Sequence, residues 1–204
     1  MYNNALVRHV GERALSALTE NNKSRRALDV IWDAGAVDHC LEAGYWNFAM
    51  RTVKLQASTD IEPEFGYQYA FVKPEDYIKT YRIATDEYMN AVLRDYSDEA
   101  GHWFADYDEV YVQYISNGSE YGGSLGDWPP SFARYVEAYL ANGVIDALTS
   151  DGNRANKVMQ VMGAALQNAL GKDAANQPTE TPKRGRWATA RMSSRHSDRY
   201  DRNG

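Results

Sequence analysis

The spacing of apolar residues changes twice along this chain, and those two changes limit what it can fold into. From Ser24 to Ala43, residues Ala27, Ile31, Ala34, Val37 and Leu41 recur three or four apart, so they share one face of a helix. Ser24 reads as its N-cap and Gly44 as the glycine just past its end. From 47 to 116 the helical period disappears. Short segments rich in Tyr, Phe and Val take over at 47–56, 66–73, 77–84, 88–95, 102–106 and 109–116, separated by Pro, Asp or Gly. In the last of them Val110, Val112 and Tyr114 alternate with Tyr111, Gln113 and Ile115, the period of a strand.

The helical period returns in PPSFARYVEAYLANGVIDALTSD, where Phe132, Val136, Tyr139, Leu140, Gly143, Ala147 and Leu148 form a continuous face. Pro129 or Pro130 suits the first turn, where a missing N–H costs little. A second helix is expected from about 152 to 170, with Val158, Met162, Ala165, Leu166 and Ala169 inward and Gly171 as its stop. Residues 4–10 read as a short helix followed by a loop, and 117–128, with four glycines, as a flexible connection. The expected fold class is α+β: helices from both ends of the chain bundle together, at about 4–43 and 129–171, with an antiparallel β-sheet inserted over about 47–116.

Past Gly171 the sequence has no amphipathic period and much Pro, Ser and Arg, so 172–204 reads as an extended arm outside the 1–171 domain. Charge divides at the same place. The arm has eight Lys/Arg and four Asp/Glu, a net +4, whereas the first 171 residues have fourteen and twenty-four, a net −10. A basic tail on an acidic body suits docking on a protein or a nucleic acid, and equally suits a solvated terminus. The longest uncharged helical stretch, Val158 to Gly171, contains Gln160, Gln167 and Asn168 and falls short of a membrane span. No secretory signal pattern opens the chain, and the single cysteine, Cys40, cannot form an internal disulfide, so folding in a cytoplasm is expected.

Sites for chemistry are sparse. GGSLG at 122–126 matches the G-x-S-x-G elbow, but that motif needs a strand directly before Ser124 and a helix directly after it, and a glycine-rich loop surrounds it instead. His9, His39, His102 and His196 are scattered, and neither H-x-x-x-H nor C-x-x-C occurs, so no metal site is expected. His39 beside Cys40 reads as packing or surface. Asp106, Asp108 and Glu109 could ligate a metal or work as an acid–base pair, but they flank an expected hairpin turn, where Asp is favoured for backbone reasons. There is no Walker loop, no G-x-G-x-x-G and no basic–aromatic platform on the strands. No catalytic residue and no cofactor are expected.

Aromatic residues are 12% of the chain, and tyrosine alone accounts for fifteen. Trp46 and Phe48, just past a helix stop, are expected to open the face that packs the sheet on the helices. Tyr67, Tyr69, Tyr111 and Tyr114 exceed what one small sheet needs and are candidates for an oligomer interface, with core packing as the alternative.

Taken in order, several segments resemble the tail tubular protein A family, the head-to-tail adaptors of short-tailed phages. They are ALVRHVGERALSAL, GYWNFAMR, FGYQYAFVKPEDYIKTYRI, YVQYISN, WPPSFARYVEAYLANGVIDALTSD and, near the end, NQPTETPKRGRWATAR, together spanning about residues 3–191. The resemblance implies a structural protein of the virion, made in the host cytoplasm and placed at the head–tail junction. It would form a homo-oligomeric ring, usually a dodecamer, beneath the portal protein, receive the tail nozzle or tube on its far side, and pass DNA through its channel without sequence-specific binding. An acidic body agrees with a channel to which DNA should not stick. On this resemblance Pro182, Lys183, Arg184, Arg186, Trp187 and Arg191 would form the portal-binding arm. The segment 192–204 has no counterpart in the family pattern. Two other functions remain open: a virion-associated cell-wall hydrolase using carboxylates between 95 and 109, and a nucleic-acid-binding protein working through its basic tail.

Overall fold

The structure is a computed structural model describing residues 1–17, 19–149 and 151–176. The six portal-arm candidates, Pro182 to Arg191, lie outside the described residues. The fold is α+β, with helices and antiparallel sheets.

The chain opens with α1 (Tyr2–Asn4), which runs directly into a wider π-helical segment at Ala5–Val10. Gly11 ends it in the left-handed conformation, φ +77°. The helix expected from Ser24 to Ala43 is two helices, α2 (Lys23–Asp33) and α3 (Ala36–Glu42). Asn22, not Ser24, is the cap: its side chain accepts from the Arg25 N–H at 2.8 Å. Gly35, φ +89°, breaks the helix, and Ala34 is exposed rather than inward. The periodic pattern crosses this break because α3 restarts nearly in phase.

Helix α4 (Pro130–Leu148) packs against α2, α3, the π-helical segment and α5 (Gly152–Ala175). Its buried residues are not confined to the expected stripe: Phe132, Tyr135, Ala138, Ala141 and Ile145 point in several directions, as they must in a helix covered on more than one side. Glu137 is buried as well, accepting from the Asn4 side chain and facing Arg8 at 4.0 Å. Helix α5 continues through Gly171, so the boundary set there moves to Ala175. Its last turn is held by Asp173, whose carboxylate accepts the Asn47 backbone N–H at 3.1 Å while its carbonyl accepts from the Asn47 side chain at 2.8 Å.

The β region is two three-stranded antiparallel sheets rather than one. The first has the order β1 (Met50–Gln56), β6 (Glu109–Ser116), β3 (Tyr77–Ala84), and the second the order β2 (Tyr69–Val72), β5 (His102–Ala105), β4 (Ser97–Glu99). Central β6 sets Val112 opposite Val53 on one side and Ile83 on the other. Between the sheets lies a core of Phe71, Ile83, Trp103, Ala105, Val110, Val112 and Tyr114, separate from the helical core. Ile115 faces the other way and joins the helical core with Trp46, Phe132 and Leu140. Thus β6 is buried on both faces near its end, and its strict alternation stops there.

One expected strand fails and one strand was not expected. Segment 88–95 is a turn, not a strand: Asp86 accepts the N–H groups of Asn90 and Ala91, Met89 has φ +57°, and only Val92 bridges back, to Ala84. Conversely β4, sequence SDE, is too polar to read as a strand. It pairs with β5 through Ala100 and Gly101, both at positive φ, the geometry of a two-residue hairpin turn. Asp106 and Asp108 also do not sit in a hairpin, because β5 and β6 belong to different sheets.

Candidate assembly surfaces

The four tyrosine candidates separate. Tyr114 is fully buried, so its candidacy for an interface is withdrawn. Its position in the inward period of β6 forces it between the sheets, where its hydroxyl needs a partner and donates to Asp76 Oδ1 at 2.9 Å. Tyr69 is half-buried against the same core. Tyr67 and Tyr111 are half-buried with their hydroxyls donating to carboxylates, Asp95 at 3.0 Å and Glu109 at 3.1 Å, which raises both phenol pKa values. More exposed apolar side chains escaped the sequence reading: Tyr88 is 76% exposed, and Phe65, Val72, Val92 and Tyr107 are exposed on the same β half. They lie in loops and on an edge strand, where no period distinguishes outward from inward.

Asp76 organises the junction of the β half with the loop after β6. It sits in the turn before β3, bonded to Arg51 of β1 at 2.7 Å, to Tyr114 and to the Ser116 hydroxyl, while its backbone carbonyl accepts the Asn117 N–H at 3.0 Å. Burial pushes this carboxyl up, but the hydrogen bonds from Ser116, Arg51 and Tyr114 outweigh it and hold the pKa below the usual range. The Arg51 guanidinium also lies over the Tyr121 ring, 5.5 Å from its centroid. An open groove of about 320 Å³ bordered by Arg51, Asp76, Ser119 and Tyr121 adjoins this network.

A second network ties the two sheets together. The Lys73 ammonium sits over the rings of Tyr77, at 4.3 Å, and Trp103, at 5.2 Å, and pairs with Asp98 at 2.5 Å. Trp103 in turn donates to Thr80 and Asp98, both at 3.1 Å. Asp98 is therefore engaged on both oxygens, and Glu99 accepts from Ser97. Of the remaining acidic candidates, Asp106 accepts the Gln68 N–H and Glu109 pairs with Lys54 at 2.8 Å, whereas Asp108 is exposed and takes part through its backbone, its carbonyl accepting the Ala57 N–H. The bond from Lys54 holds the Glu109 pKa below its ordinary value. Among the described residues no three His, Cys, Asp or Glu side chains gather in a way that could hold a metal.

Ser124 lies in a turn and donates to Asp127 at 2.6 Å, with neither a strand before it nor a helix directly after it. The glycines there serve close packing. A Cβ at Gly122 would stand 2.5 Å from the Ser116 carbonyl oxygen, and one at Gly123 would stand 2.3 Å from that of Asn117. Trp128 closes the loop by donating to the Gly122 carbonyl at 2.8 Å.

On the helical half, Trp46 is buried against Phe132, with centroids 4.9 Å apart, and its indole N–H donates to the carbonyls of Cys40 and Leu41 at the end of α3. Phe48 packs on Phe132 as well. Trp46 and Phe48 of GYWNFAMR are thus core residues, and Trp46 also caps the end of α3, while Tyr45 is exposed. Cys40 is buried, and His39 stacks on Tyr139 at 4.9 Å. A basic cleft of about 100 Å³ lies between the π-helical segment and α5, bordered by Arg8, His9, Arg154 and Lys157. Burial lowers the His9 pKa. No described helix is long and apolar enough to cross a membrane. Neither the family models nor the curated proteins searched give a match to the chain.

Proposed function

We propose that this protein is a structural head-to-tail adaptor of a tailed phage virion. On this reading, copies form a ring between the portal and the tail nozzle or tube, and the ring lines the DNA channel. Its finer architecture is a helical bundle built from both ends of the chain, carrying a β insertion and ending in an arm that attaches to the portal. The virion is its site of action, and the binding work falls to surfaces rather than to a catalytic centre.

The observation that carries the reading is the ordered series of resembling segments; those within the described residues lie on different elements, and NQPTETPKRGRWATAR lies outside them apart from its first residue. ALVRHV is the π-helical segment on α4, GYWNFAMR is the aromatic junction into β1, YVQYISN is the central strand, and WPPSFARYVEAYLANGVIDAL is the helix at the centre of the helical core. The engagement of Asp98, Glu99, Asp106 and Glu109 in fold contacts weighs against the hydrolase alternative, since a glycosidase needs a carboxylic acid kept free in a cleft. Acidity of the body supports a channel that does not retain DNA.

The test is co-elution with the portal protein encoded in the same genome, followed by imaging of the complex. Ring-shaped particles containing both proteins support the proposal. Separate elution under all salt conditions overturns it.

A further inference from the structure

We propose that the cleft between the π-helical segment and α5 binds a phosphate group, with Arg8, Arg154 and Lys157 as the cations that hold it. This site stands or falls independently of the adaptor reading.

The charge there runs against that of the chain around it. The first 171 residues carry a net −10, yet among the described residues three cations and no carboxylate border this cleft. Arg154 and Lys157 are three apart on α5 and so share one face of the helix. The π-helical segment brings Arg8 and His9 to that face, and Val158 and Val161 complete the border. All three cations are exposed. Gathering like charges in one cleft is unfavourable until an anion stands between them.

Neighbouring carboxylates do not supply that anion. Glu137 is buried, accepts from the Asn4 side chain and lies 4.0 Å from Arg8. Asp151 is occupied as the cap of α5, accepting the N–H groups of Asn153 and Arg154. Glu12 follows Gly11 in sequence but does not border the cleft. Among the described residues no carboxylate lies within ion-pair distance of Arg154 or Lys157.

Gly11 makes the room that Arg154 uses. Its φ is +77°, and a Cβ there would stand 2.4 to 2.6 Å from three guanidinium atoms of Arg154. The guanidinium therefore lies against the Gly11 backbone, in space that a side chain would fill.

The donors select the kind of anion. Each guanidinium presents a planar fork of N–H groups, and the Lys157 ammonium adds a compact charge with three donors of its own. A single carboxylate is satisfied by one fork. A phosphate group directs its oxygens tetrahedrally, so it can meet donors from several side chains at once. The cleft has a volume of about 100 Å³, and Val158 and Val161 give it an apolar wall, beside which charge-assisted bonds are less weakened by water.

Inorganic phosphate is the first probe, titrated into the full chain and followed by NMR at the His9 ring and the Gly11 amide. These two signals report on the cleft and not on the basic tail, and both should shift and saturate. Arg154→Gln and Lys157→Gln change exposed residues, so both variants should fold, which circular dichroism checks. Each should weaken binding about ten-fold, the effect of losing one charge-assisted hydrogen bond. Arg154→Lys keeps the charge and loses the fork, so its affinity should fall between those of the wild type and Arg154→Gln. Arg26→Gln removes the same charge from an exposed position on α2 and should leave the titration unchanged. A DNA duplex at equal phosphate concentration distinguishes the sources of the group. Shifts of the same two signals that disappear in Arg154→Gln and fall steeply with salt make the ligand a nucleic-acid backbone. Binding of inorganic phosphate without DNA makes it a free phosphate or a phosphomonoester. No shift with either probe, or equal binding by the wild type, Arg154→Gln and Lys157→Gln, overturns the proposal.

Discussion

Arg51 Nη1 lies 2.7 Å from Asp76 Oδ2, and the pair joins strand β1 to the turn that starts β3. Tyr114 and Ser116 of β6 donate to the same carboxylate, so one side chain fixes all three strands of the first sheet. Replacing Asp76 by Ala leaves the buried Tyr114 hydroxyl and the Arg51 charge without their partner. The expected loss is about 2–3 kcal/mol, read as a lower denaturant midpoint with an unchanged slope. Arg51→Met, at a side chain one-third exposed, should cost less, about 1 kcal/mol.

The same carboxylate sets part of the acid limit. Its folded pKa lies below the unfolded 3.8, so its contribution is complete above that value and is lost as pH falls through the depressed folded pKa. Denaturation at several pH values should show stability falling steeply below about pH 4. Asp76→Asn, already missing that term, should show a shallower acid limb.

Trp46 should report on the helical core. Trp46→Phe keeps the ring contacts with Phe132 and removes the bonds to the Cys40 and Leu41 carbonyls, at a cost of about 1 kcal/mol. Trp46→Ala opens a cavity and should cost about 3–5 kcal/mol. A smaller difference between the two variants would contradict the packing role.

Cys40 is buried, and burial pushes its thiol pKa up to about 12. It should react with maleimide only through unfolding, at a rate that tracks denaturant. Fast labelling of the native protein would show that α3 opens independently.

Glycines should divide by location. Gly123→Ala drives a methyl group into the Asn117 carbonyl and should destabilise by about 2 kcal/mol or more. Gly163→Ala, facing open space, should raise the stability of the chain by up to about 1 kcal/mol. Thermal melts of the two variants beside the wild type check this division.

Much of this fold was legible because period and punctuation agreed. β3 and β6 begin and end where the Tyr- and Val-rich segments do, and Pro130 opens α4. What was missed lay where one residue overrides a pattern. Gly35 breaks a helix whose apolar period runs straight through it, and Asp173, bonded to Asn47 from 126 residues away, carries α5 past Gly171. The polar strand β4 is held by its partner β5 and not by its own composition. Among the tyrosines, sequence could not separate Tyr114, whose hydroxyl finds a buried carboxylate, from Tyr67, whose hydroxyl finds an exposed one. The basic cleft was invisible for a related reason: Arg8 and Arg154 adjoin only in the folded chain.

The most direct test of the account is the mass of the protein by light scattering, with and without its portal, for the full chain and for a chain ending at Asn176, the last described residue of the C-terminal helix region. The account predicts a portal-dependent ring of uniform mass for the full chain, and no portal binding for the shortened one. A full chain whose mass is unchanged by the portal would contradict it.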